Sequence, residues 1–103
     1  MLPQNRLAKI RQMEHILNQA HDLIDKMEQL QSEWQRLLPQ IRELENYYGE
    51  QWQADYNAYD QGEIPPDMPC GVLSEDAVYN LFIEHKEVAL TWIRLSVKSM
   101  ETA

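Results

Sequence analysis

Apolar residues return along the first half of the chain in three rows, each with a seven-residue repeat. Ile10, Leu17, Ile24 and Leu38 form one row, and Met13, Ala20, Met27, Trp34, Ile41 and Tyr48 lie three positions after each heptad start. Ile16, Leu23, Leu30, Leu37 and Leu44 flank them. Three apolar positions per heptad exceed the two-position seam of a simple two-stranded coiled coil. The pattern predicts a long amphipathic helix over about residues 5–48 that touches more than one neighbour. Gln31 and Glu45 fall on apolar rows and mark where a partner changes or ends. Pro39 removes a backbone donor and crowds the carbonyl four residues back, so a kink or restart is expected near Arg36–Leu38. The rows keep their phase across it, which favours a kink.

Gly49, after Tyr47 and Tyr48, is the expected C′ residue of this helix. Trp52, Tyr56 and Tyr59 then recur at i, i+4 and i+7, predicting a short helix over about residues 50–60 that closes at Gly62. Residues 61–73 hold Pro65, Pro66, Pro69 and Gly71 and are expected to be a loop with fixed corners. Ser74 is a good N-cap, Glu75 and Asp76 suit the positive end of a helix dipole, and Leu73 and Val78 can form a hydrophobic staple. They predict a last helix over about residues 74–100, whose polar residues fall on one narrow stripe from Asn80 to Lys98.

The expected fold is all-α, a single helical domain over residues 1–103. A long Pro-kinked N-terminal helix would pack antiparallel on the C-terminal helix, with a short cross-helix between them, as a small bundle or helical hairpin. Unbroken, the first helix would measure about 65 Å against about 40 Å for the last, at ~1.5 Å per residue. One cannot cover the other, so the reading favours a homodimer in which a second copy covers exposed apolar rows.

Charge is unevenly distributed along the chain. Residues 1–42 hold six Lys/Arg against five Asp/Glu, and residues 85–103 hold three against two. Between them, Glu43–Glu84 carries ten carboxylates and no Lys, Arg or His, which accounts for the net charge of −8. The same stretch holds all five tyrosines, all three glycines and the one cysteine. An acidic balance disfavours direct binding to nucleic acid, whose phosphates are neutralised by Lys and Arg, and disfavours anionic membranes. It points to a basic protein as partner. No apolar run approaches the roughly 20 residues of a membrane span. The start of the chain lacks the apolar core of a signal peptide, and a lone cysteine suits a reducing compartment, so a cytoplasmic location is expected.

Two segments carry a resemblance, Tyr47-Tyr48-Gly49 with Trp52, and the run from Cys70 through Gly71, Leu73, Ser74, Glu75, Asp76 and Val78 to Tyr79. With the long leading helix and the proline near position 39, they resemble a small bacterial family catalogued as domain of unknown function 4298. The resemblance implies a short, soluble, acidic helical protein and supplies no activity.

The chemistry-bearing residues support no catalytic, cofactor or metal assignment. Cys70 precedes the last helix, where a dipole would favour its thiolate, yet Asp67, Glu75 and Asp76 surround it and raise a thiol pKa. A nucleophile also needs an activating base, and His85 lies about three turns down the last helix. Asp55, Asn57, Asp60, Glu63 and Asp67 miss the Ca²⁺-loop template, because Tyr59 and Gly62 fall at the wrong steps. His15 and His21, six apart, lie on different helix faces. No phosphate-binding or nucleophile-elbow motif occurs.

The remaining candidate is an interaction surface in the acidic middle, formed by Tyr47, Tyr48, Trp52, Asp55, Tyr56, Asp60, Glu63, Cys70, Glu75, Asp76 and Tyr79. Tyrosine and tryptophan are enriched at binding hot spots, although aromatics at helical spacing also plug the ends of bundles. The expected function is a non-enzymatic interaction or adaptor module, with mimicry of nucleic acid as a specialised form. The alternative is a small ligand-binding protein or enzyme with a pocket around Cys70, Tyr79 and Trp52.

Overall fold

The computed structural model describes residues 1–101. The fold is all-α, with α1 over Gln4–Glu50, α2 over Trp52–Asp60 and α3 over Ala77–Glu101. A 3-10 turn over Gly71–Leu73 precedes α3. The chain divides into two compact units, Met1–Arg42 and the part from Glu43 onward.

The first unit is helix almost throughout. Pro3 cannot continue a helix backwards, and its carbonyl accepts the amides of Arg6 and Leu7 at 3.1 Å, which opens α1. The helix runs through Pro39 without restarting. Its apolar rows are wet: Met13, Ile16, Leu17, Leu23, Ile24 and Leu30 are all exposed, Leu23 at 58%. Ile41 is the buried residue of α1.

In the second unit the helix end departs from expectation. Gly49 is helical, and α1 continues to Glu50. The amide of Gln51 still bonds to the Tyr47 carbonyl at 3.0 Å, and that of Asp55 to the Gln51 carbonyl at 3.2 Å. These bonds close the last turn of α1 and open the first turn of α2, so the two helices meet at the single residue Gln51. Gln51 keeps φ −110° and ψ −20°, close enough to helical to preserve the side-chain phase. A glycine inside a helix costs only ~1 kcal/mol relative to alanine, which the surrounding aromatic contacts can offset.

The expected close at Gly62 is observed, with φ +75°. The Gly62 amide bonds to the Tyr59 carbonyl at 3.1 Å and the Glu63 amide to the Ala58 carbonyl at 2.9 Å. These are the two bonds of a Schellman motif, which needs a left-handed residue where Gly62 stands. In the loop beyond, the Met68 amide bonds to the Pro65 carbonyl at 3.1 Å, making a turn with Pro66 at its first corner.

The loop ends in the 3-10 turn, and α3 begins three residues later than Ser74. Ser74 is extended, at φ −70° and ψ 145°, and its hydroxyl donates to the Gly71 carbonyl at 2.9 Å. The first helical bond of α3 runs from the Asn80 amide to the Asp76 carbonyl at 2.8 Å. The 3-10 turn packs on both α2 and α3. Leu73 and Val78, the expected staple pair, are 5% and 3% exposed and, with Trp52, form the buried core of this unit. Burying side chains of this size contributes roughly 1.5–3 kcal/mol each.

Candidate acidic-aromatic site

Because helical phase survives the junction at Gln51, two ladders run side by side at i, i+4 and i+8. One is aromatic. Tyr48 meets Trp52 edge-on, with ring centroids 5.2 Å apart, and Trp52 stacks on Tyr56 at 5.1 Å with the rings 14° from parallel. Tyr48 also meets Phe82 of α3 edge-on at 5.9 Å. Such pairs contribute about 0.5–1.5 kcal/mol beyond the area they bury. The Trp52 indole N–H donates to the Val72 carbonyl at 2.7 Å, tying α2 to the 3-10 turn.

The neighbouring ladder is polar. The Tyr47 hydroxyl donates to Asp55 Oδ2 at 2.7 Å, and Gln51 Nε2 donates to the same oxygen at 3.2 Å. Losing its proton would place a phenolate against the carboxylate, so the Tyr47 pKa is pushed up from 10.0 to about 12. The hydrogen bond to Asp55 is the main cause, with burial and the Asp55 charge adding to it. One residue further along α2, the Tyr56 hydroxyl donates to Glu75 Oε1 at 2.9 Å, which raises the Tyr56 pKa in the same way.

The structure thus divides the predicted surface residues. Trp52 is buried, and Tyr48 is half-buried between Trp52 and Phe82, so both rings belong to the interior of the unit. Tyr47 and Tyr56 are half-buried with their hydroxyls held by Asp55 and Glu75. Asp60, Glu63, Glu75, Asp76 and Tyr79 are exposed. Phe82, Gln51 and the Val72 carbonyl were not anticipated. Phe82 stands four residues after Val78 on the apolar side of α3, but nothing in its spacing pairs it with Tyr48. Gln51 would have emerged had the helix been carried past Gly49.

Cys70 is half-buried, and its thiol donates to the Met68 carbonyl at 3.2 Å. It lies at an open depression whose other walls include Tyr59, Ile64, Pro66, Met68 and Ser74. Trp52 and Tyr79 are not among the residues that line it. Among the described residues, no three His, Cys, Asp or Glu side chains gather closely enough to hold a metal ion. No described helix is long and apolar enough to cross a membrane.

The match to known families covers both the ladder and the turn before α3. Residues 10–95 match the family described as domain of unknown function 4298. The chain belongs to that family. The matched span takes in Tyr47, Trp52, Asp55, Tyr56 and Glu75, so the ladder lies wholly within the family region. Comparison with curated proteins and with solved structures gave no match.

Proposed function

We propose that this member of the family is a non-enzymatic interaction module that presents the acidic face of its second unit to a basic protein. The observation that carries the reading is the exposure of the segment's charge. Of the ten carboxylates between Glu43 and Glu84, nine are exposed and Asp55 is half-buried, in a stretch with no Lys, Arg or His. Carboxylates without neighbouring cations raise a local negative potential, which speeds encounter with a basic surface and suppresses acidic competitors.

The state of the phenols also favours binding over catalysis. A general acid or base works best with a pKa near the operating pH. Tyr47 and Tyr56 are moved away from neutrality by the carboxylates they donate to. Those hydrogen bonds brace α2, and Asp60 at its end and Glu63 and Asp67 in the loop beyond are exposed to solvent.

Capture from the native host's lysate tests the reading, comparing the unmodified protein with an Asp60→Asn, Glu63→Gln, Asp67→Asn variant. The expected result is a basic protein that is held at low salt, released as salt rises, and held poorly by the variant. Exposed charges are screened over ~8 Å at physiological ionic strength, so the salt dependence should be steep. A partner held equally well by the variant and at high salt would overturn the reading.

A further inference from the structure

We propose that the helix of the first unit pairs antiparallel with the same helix of a second copy of this chain, in a register set by Lys26 and Glu33. This interface is separate from the acidic face of the second unit. From Met13 to Leu37 the apolar residues step alternately by three and four, with no polar residue in the series: 13, 16, 20, 23, 27, 30, 34, 37. That is the a/d spacing of a coiled coil, sustained over more than three heptads and roughly 35 Å of helix at ~1.5 Å per residue. Leu23, Leu30 and Leu37 of this seam are about half exposed, at 58%, 51% and 45%. Met27 and Trp34 are half-buried, and so many exposed apolar residues along one stripe are uncommon on a soluble protein.

What selects a second copy as the occupant is the self-complementarity of the helix. Taking Met13, Ala20 and Met27 as a positions, the g positions are Gln12, Gln19, Lys26, Glu33 and Gln40. In an antiparallel pair, g faces g and a packs beside d. Turning the helix about a two-fold axis near Gln29 sets Lys26 against the partner's Glu33 and, by symmetry, Glu33 against the partner's Lys26. The same register places the small Ala20 opposite the partner's large Leu37, and Met27 opposite the partner's Leu30. In the row of Ile10, Leu17, Ile24 and Leu38, Leu17 then meets the partner's Leu38, while Ile24 lies opposite the partner's Gln31. A parallel pair lacks this complementarity, because g faces e there. Lys26 would lie beside the partner's Gln31, and Glu33 beside the partner's Leu38.

Charge reversal in the full chain, read by sedimentation across a micromolar range with helicity checked by circular dichroism, tests the arrangement. Lys26 and Glu33 are exposed, so K26E and E33K leave the fold intact. The unmodified protein is expected to be dimeric. Each single variant converts two attractive pairs into two repulsive ones and weakens association about tenfold. Mixing the two variants restores the dimer, because every pair in the mixed species is opposite in sign, and the double variant K26E/E33K is restored on its own. A monomeric unmodified protein, a dimer unmoved by either reversal, or single variants that do not recover on mixing would each overturn the proposal.

Discussion

The indole N–H of Trp52 donates to the carbonyl of Val72 at 2.7 Å and joins two elements that lie 20 residues apart. Trp52 is otherwise buried between Tyr48 and Tyr56, so this single side chain links the aromatic ladder of α1 and α2 to the 3-10 turn before α3. Trp52→Phe keeps a ring in place and deletes the donor, leaving the Val72 carbonyl without its partner. The expected loss is about 1–2 kcal/mol of unfolding free energy in urea. Trp52→Ala also opens a cavity and is expected to cost about 3–5 kcal/mol. A Trp52→Phe protein as stable as the parent would show that the indole bond contributes nothing.

The Tyr47–Asp55 bond makes a second prediction, on pH. The folded state raises the Tyr47 pKa from 10.0 to about 12. A group whose folded pKa exceeds its unfolded value stabilises fully below the unfolded value, and the gain disappears as pH rises through the folded one. The melting temperature of the parent should therefore exceed that of Tyr47→Phe by a constant margin up to about pH 10, and the margin should close between about pH 10 and 12. A margin that stays constant through this window would show that the phenol proton is not what the folded state holds.

Gly49 and Gly62 are predicted to respond to alanine with opposite signs. At both positions an added Cβ meets open space, so backbone conformation alone decides. Gly62 sits at φ +75°, where a Cβ is strained, and Gly62→Ala is expected to destabilise by about 1–2 kcal/mol. Gly49 is inside α1, where alanine is the better helix former, and Gly49→Ala is expected to stabilise by about 0.5–1 kcal/mol. Thermal melts of the two variants decide it. A destabilised Gly49→Ala protein would mean that the helix does break there.

These two glycines also show which parts of the chain could be read directly. Gly62 follows a short apolar repeat and precedes a proline-rich run, so local and tertiary signals agree on a helix end. At Gly49 the local signal alone favoured an end, and the aromatic ladder from Tyr48 to Trp52 to Tyr56 overrode it. A helix that ends at Gly49 hides the Tyr47–Gln51–Asp55 row, because its eight-residue span needs the phase to pass through Gln51. The Tyr56–Glu75 bond spans 19 residues and three turns, a distance over which periodicity carries no information. The helical content, by contrast, follows from heptad rows and a single polar stripe, which are local properties.

The start of α3 offers a test between two capping schemes written into adjacent residues. Ser74, Glu75 and Asp76 read as a cap followed by first-turn acids, yet the Ser74 hydroxyl is engaged with the Gly71 carbonyl, closing the 3-10 turn. Asp76 instead carries the carbonyl that accepts the first helical bond, from Asn80. Its carboxylate stands at the positive end of the α3 dipole, an interaction of about 0.3–1 kcal/mol at an exposed position. Ser74→Ala should therefore cost about 0.5–1 kcal/mol through the loop and leave amide exchange in the first turn of α3 unchanged. Asp76→Ala should speed exchange at those amides, more so at low salt than at high. If Ser74→Ala accelerates the same amides and Asp76→Ala does not, Ser74 is the cap and α3 begins where its sequence first suggested.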